Sequence, residues 1–208
     1  MTSASATRRL QHDRQLALQE IRQQQAGARR RQVRSWTIWG ISLLAILGVV
    51  VAALLSARPV ESSTERTAPG FTLPVSDGTT VSLSDFAGSP VVLYFNEGAG
   101  CDSCLVQMQK IEQHPGFAEA GITVLPIVMN TAEQINADRL RLGVEAPFLL
   151  DDGTVSEAYG VLGTGMHEGL PGHGFVLIDP DGTQTWFGDY PSMWLDPADL
   201  LKEVTSRL

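Results

Sequence analysis

The chain has 208 residues, 43 % of them hydrophobic and 18 % charged, and a formal net charge of −8. That acidic balance speaks against a nucleic-acid-binding surface, and the length leaves room for a domain with a real core beside any accessory segments. The charge is sharply divided. Arg8, Arg9, Arg14, Arg22, Arg29, Arg30, Arg31 and Arg34 stand against only Asp13 and Glu20 in residues 1–34, a net +6, so residues 35–208 must carry −14 to give the total of −8.

The break in charge falls at an apolar run. Trp36 to Leu55, WTIWGISLLAILGVVVAALL, contains no charged side chain. At ~1.5 Å per residue a helix of that length spans ~30 Å, the hydrocarbon thickness of a bilayer. Residues 35–56 are therefore expected to be a transmembrane helix, with Trp36 and Trp39 at the headgroup level. The arginines before it should keep residues 1–34 cytoplasmic, where they touch anionic lipid, and place the rest outside. A short helix carrying Leu10, Leu16, Leu18 and Ile21 is expected within the basic segment. A cleaved signal peptide is the alternative, but Leu55-Ser56-Ala57 is a weak cleavage site. The span is thus expected to be an uncleaved signal-anchor. Residues 57–68 are polar and proline-containing and read as a flexible linker. Residues 69–208 then form one extracytoplasmic domain.

Within that domain Phe71-Thr72-Leu73 opens a strand, Asp77-Gly78 is a hairpin turn, and Thr80-Val81-Ser82-Leu83 returns. Pro90–Phe95 is a buried strand, followed by a glycine-rich loop and a helix from about 102 to 113 that Pro115 helps to end. Gly121–Val128 is a second buried strand. Thr131 caps a helix to about Leu142, with Glu133 near its positive end. Phe148-Leu149-Leu150 leads to a short helix, Val155–Tyr159, closed at Gly160. Gly174–Ile178 is a third strand, Asp179-Pro180-Asp181-Gly182 a tight turn, Thr183–Trp186 a fourth strand, and Pro197–Arg207 a last helix. Crossover helices between apolar strands imply parallel pairing and the final hairpin an antiparallel edge. The expected fold is α/β: a mixed sheet with helices on both faces.

Cys101-Asp102-Ser103-Cys104 holds both cysteines, at the point where the first buried strand turns into a helix. A helix N-terminus offers free N–H donors and partial positive charge, which favour a thiolate, and the second thiol can resolve a mixed disulfide formed by the first. As a staple the pair is weak, since closing so short a loop contributes only ~2 kcal/mol. Redox chemistry is the expected role. His173, before the third strand, is a candidate to donate to a thiolate or to favour it electrostatically. His167 lies in the glycine-rich stretch GTGMHEGLPGHG, and His114 near a helix end. Glu97 and Asp102 flank the thiols and should disfavour thiolate. Trp186, Tyr190 and Trp194 read as packing and edge residues. No cofactor is expected.

The stretch Ala68–Pro74, Asp77-Gly78, Val81–Phe86 and Pro90–Phe95 resembles the opening of the alkyl hydroperoxide reductase/thiol-specific antioxidant (redoxin, peroxiredoxin-like) family of the thioredoxin-like superfamily. Phe148–Asp151, Ala158–Val161 and Phe175–Gly182 are similar to its later landmarks. The resemblance implies an oxidoreductase with antioxidant chemistry. It places Glu97 where that family carries a proline, Cys101 where it carries Thr or Ser, and Cys104 at the peroxidatic position. The C-x-x-C instead resembles membrane-tethered thioredoxins, whose cis-proline position falls nearest His173. Two enzymatic functions follow. One is thiol–disulfide exchange started by Cys101 and resolved by Cys104; the other is peroxide reduction with Cys104 attacking. A third reading, a copper-binding module using both cysteines and His173, rests on soft-ligand chemistry. The implied partners are protein thiols and disulfides or a peroxide, a membrane or extracytoplasmic redox protein, and the lipid bilayer.

Overall fold

A computed structural model describes residues 35–55, 58–163 and 168–208. The readings made on His167 and on the basic segment 1–34 lie outside the described residues. The described part divides into two compact units, one ending at Leu55. That unit shows helix α1, Ser35–Leu55, 21 residues with mean hydropathy 2.7 and none of its surface buried. It is long and apolar enough to cross a membrane.

The second unit is built on a seven-stranded sheet. In chain order its elements are β1 (Val60–Ser62), β2 (Arg66–Thr67), β3 (Thr72–Pro74), β4 (Thr80–Ser82), a 3-10 turn (Leu83–Phe86), β5 (Val91–Phe95), α2 (Asp102–Glu112), α3 (Pro115–Glu119) and β6 (Thr123–Val128). There follow α4 (Ala132–Arg141), β7 (Leu149–Leu150), α5 (Thr154–Tyr159), β8 (Gly174–Ile178), β9 (Thr183–Asp189) and α6 (Pro197–Thr205). The sheet runs β1-β9-β8-β5-β6-β7, with β2 also on β9, while β3 and β4 form a separate hairpin. The β5–β6 and β6–β7 pairs are parallel; β5–β8 and β8–β9 are antiparallel. This is the mixed sheet expected from the crossovers.

β5 is buried on both faces, and its alternation splits the core in two. Val92 and Tyr94 join Leu105, Met108 and Ile111 of α2, Phe117 of α3, Ile135 of α4, and Leu200 and Val204 of α6 on one face. Val91, Leu93 and Phe95 face Val155 and Tyr159 of α5 and Leu73 of the hairpin on the other. Helices therefore cover both faces. α4 starts at the expected cap: Thr131 Oγ1 accepts from Gln134 N–H at 3.3 Å, and the Gln134 side chain accepts from Thr131 N–H at 3.0 Å, completing a capping box. Pro115 does more than end α2; it is the first residue of α3, capped by His114, whose Nδ1 accepts from Gly116 N–H at 3.2 Å. His114 is thus tied to helix capping.

The flexible-linker reading of residues 57–68 needs correction. Val60–Ser62 pairs antiparallel with Phe187–Asp189, and Arg66–Thr67 with Thr183–Gln184. Arg66 donates to Gln184 Oε1 at 2.9 Å and to the Ala158 carbonyl at 3.2 Å, and the Tyr190 hydroxyl donates to Glu61 Oε1 at 2.9 Å. The segment lies along the outer edge of β9, held mainly by backbone ladder bonds that its polar sequence does not advertise. β9 itself runs three residues beyond Trp186 to accept it. Trp186 is fully buried and Tyr190 nearly so, as packing residues, whereas Trp194 is 40 % exposed.

Candidate active site

β5 carries the chain through the core and releases it into the loop 96–101 at its carboxyl end. Three local devices shape that loop. Asn96 is fully buried; its side chain donates to the Tyr94 carbonyl at 3.2 Å and accepts from Gly98 N–H at 3.0 Å. Gly98 adopts φ +72°, and a Cβ there would collide with the Asn130 side-chain oxygen and stand 2.8 Å from Val128 Cγ1. Cys101 N–H then closes on the Gly98 carbonyl at 3.0 Å and sets the N-cap of α2.

Residues from the loop after β6 and from α4 pin the same loop from outside. Asn130 Oδ1 accepts from Ala99 N–H at 2.9 Å, and Asp138 Oδ2 from Gly100 N–H at 3.0 Å. Arg141 donates to both carboxylate oxygens of Asp102, at 2.6 and 3.2 Å, and to Asp138 Oδ1 at 3.1 Å. Its hydrogen bonds hold the Asp102 carboxyl below the usual range, and the two carboxylates raise the Arg141 guanidinium further. Asp138 is also lowered, first by the Gly100 N–H and then by Arg141. Asp102 therefore does not present a bare negative charge to Cys101, as its place beside the thiol in sequence suggests; it is half of an ion pair. Asn130, Asp138 and Arg141 escape a reading by motif because they lie 29 to 40 positions beyond Cys101. Ser103 escapes it too: its hydroxyl lies 3.3 Å from Cys101 Sγ.

Cys101 and Cys104 are joined in a disulfide, with Cα atoms 5.4 Å apart. The two sulfurs are not equivalent. Cys101 is half-buried at the helix cap, while Cys104 is completely buried in the first turn. Beneath them Tyr94 donates its hydroxyl proton to the Cys104 carbonyl at 3.1 Å, and His173 Nδ1 lies 3.1 Å from the same hydroxyl. A hydroxyl has one proton to give, so the bond from His173 is consistent with the Nδ1–H tautomer donating to Tyr94. His173 is 1 % exposed, and burial pushes its pKa down to about 4. It is neutral at pH 7 and offers the thiols no positive charge; what it offers is a hydrogen bond that reaches the helix through Tyr94. Burial also raises the Tyr94 phenol well above its ordinary value. Among the described residues no group of three or more His, Cys, Asp and Glu is arranged to hold a metal ion. The copper-binding reading thus finds no ligand set here.

Known proteins resemble this chain in sequence and in fold. The AhpC/TSA family profile matches residues 64–186. A putative peroxiredoxin of Mycobacterium tuberculosis (strain H37Rv) is 34 % identical over 121 residues, covering 55 % of this chain and 77 % of that protein. Peroxiredoxin Bcp of Escherichia coli K12 is 33 % identical over 121 residues, covering 55 % and 78 %. The crystal structure of the peroxidoxin BcpB of M. tuberculosis superposes with a TM-score of 0.57 at 23 % identity, over 69 % of this chain and 95 % of that one. Reduced 2-Cys peroxiredoxin of Plasmodium vivax gives 0.59 at 19 % identity, over 70 % and 96 %. At those identities the superpositions speak for the fold, which is thioredoxin-like. The match to the profile over more than half of its length, on this thioredoxin-like sheet, makes the chain a member of the AhpC/TSA family of oxidoreductases.

Proposed function

We propose that the protein is a membrane-tethered thiol–disulfide oxidoreductase whose Cys101–Cys104 pair works outside the cytoplasm. The observation that carries this reading is the unequal burial of the two sulfurs. An incoming thiolate can reach Cys101 and not Cys104. It forms a new S–S bond to Cys101 Sγ, the Cys101–Cys104 bond breaks, and the electron pair leaves on Cys104 as a thiolate near the positive end of α2. A second partner thiol then releases Cys101, so the protein has taken two electrons and the partner is a disulfide. Run in reverse, reduced Cys101 attacks a substrate disulfide and Cys104 resolves it. His173 acts in this scheme as a positioning residue, through Tyr94, on the turn that carries Cys104.

Family membership favours a second reading, peroxide reduction at Cys104. There the Cys104 thiolate forms an S–O bond as the O–O bond breaks and hydroxide or alkoxide departs. The Cys101 thiol then displaces water from the sulfenic acid to give the same disulfide. Glu97 and Cys101 stand where the family's proline and hydroxyl residue are expected, which weakens peroxide activation and places exchange first.

Two mutants separate the readings. With a disulfide substrate, Cys104→Ser should accumulate a mixed disulfide visible by mass spectrometry, and Cys101→Ser should trap almost none. If Cys101→Ser consumes hydrogen peroxide at the wild-type initial rate, Cys104 is the attacking sulfur and the second reading replaces the first.

The tether is α1, with eight arginines before it and two acids. That arginine excess favours a cytoplasmic N-terminus. After reduction, an impermeant thiol reagent applied to intact cells should label the protein. Labelling only after the membrane is breached would reject this orientation.

A further inference from the structure

The first turn of α2 is joined to α4 by a cluster that the exchange chemistry has not yet used. Arg141 sits between two carboxylates: Asp102, the residue after Cys101, and Asp138, which holds the N–H of Gly100, the residue before Cys101. The side chains remain partly open, Arg141 at 50 % and Asp102 at 60 % exposure. The contact to Asp102 uses two nitrogens on two oxygens, the geometry a guanidinium matches and an ammonium does not.

We propose that Arg141 is a positioning residue for Cys101: it cancels the Asp102 carboxylate beside the nucleophile and clamps both flanks of Cys101 to α4. The inference rests on the thiol–disulfide reading. The charged groups around the turn are Glu97 in the loop, Asp102 on α2, and Asp138 and Arg141 on α4; His173 and Tyr94 beneath it are neutral at pH 7. Asp102 and Asp138 are both held as carboxylates by their bonds to Arg141, and Arg141 is the cation that faces them. Without it, the Asp102 carboxylate, one residue along the chain from Cys101, opposes thiolate formation. At a separation of about 6 Å in a well-solvated site, one charge shifts a neighbouring pKa by about half a unit.

The test follows the titration of Cys101 itself, through the pH dependence of iodoacetamide alkylation in the full chain carrying Cys104→Ser. Arg141→Met should raise the midpoint by about half a unit and slow alkylation at pH 7 about threefold, while the limiting rate at high pH is unchanged. Adding Asp102→Asn should bring the midpoint back, and Arg141→Lys should restore part of it. A purely structural role would lower the limiting rate without moving the midpoint. Asp102→Asn alone provides an independent arm of opposite sign: it should lower the midpoint. An unmoved midpoint in Arg141→Met, or a rise that persists when Asp102 is also replaced, overturns the proposal. If the midpoint moves as stated but Cys104→Ser traps no mixed disulfide, the clamp stands and the exchange reading falls.

Discussion

Gly98→Ala should remove on the order of 3 kcal/mol of stability and most of the exchange rate, measured as a lower urea midpoint and slower mixed-disulfide formation. Two effects add. The left-handed backbone, φ +72°, costs a non-glycine residue about 1 kcal/mol or more. The new methyl also meets the Asn130 side chain and Val128, in a loop closed by the Ala99–Asn130 bond. The loop cannot yield without releasing Ala99, and with it the cap that places Cys101. Gly88 provides the comparison. Its φ is +85°, but a Cβ there meets nothing within 4 Å, so Gly88→Ala should show the backbone cost alone and leave exchange intact. Equal losses at the two positions would mean that the contact with Asn130 is unimportant.

The second large effect is on stability against pH. His173 is held near pKa 4 by burial, while in the unfolded chain it titrates near the ordinary value of about 6.5. Between those values the unfolded state binds a proton that the folded state refuses, so stability rises with pH through this window. Lowering the pH from 6.5 towards 4 should therefore cost about 3 kcal/mol, with the full stability regained above pH 6.5. His173→Gln removes the titrating group and should flatten that part of the curve, whatever its effect at pH 7. A variant that loses stability between pH 6.5 and 4 as steeply as the wild type would show that other groups cause the slope. The same neutrality bears on catalysis. The exchange profile should show no inflection near neutral pH that vanishes with His173, since the imidazole contributes no charge there.

The parts of the fold legible from the amino acids are those with their own periodicity or punctuation. Val91–Phe95 is apolar throughout and bounded by Pro90 and a glycine-rich loop, which suits a strand buried on both faces. Thr131 and Gly160 mark helix ends in their own sequence neighbourhoods. The C-x-x-C was legible for the same reason: both cysteines and the strand before them are local. What surrounds them was not. Asn130, Asp138 and Arg141 come to the loop from another crossover, and no spacing rule links them to Cys101. His173 illustrates a second limit. Its identity suggested a charge, but burial decided its protonation, and burial is a property of the assembled sheet. The strands at 60–62 and 66–67 escaped for a third reason. They are short, exposed and polar, and are held by backbone bonds to β9, so hydrophobic alternation has nothing to record.

Those two strands bear on where the redox domain can be cut. β9 carries Trp186 and Phe187 and, without its neighbour, would present a seven-residue edge of open N–H and C=O groups. Such an edge is a template for a second chain. A fragment begun at residue 69, where the apolar pattern starts, would bare the whole edge; one begun at residue 64, where the family match starts, would keep β2 and lose β1. Self-association of either fragment would then be an artefact of the cut. The smallest piece that keeps its sheet closed begins ahead of Val60, which makes the polar stretch after the apolar helix a solubility device of the domain.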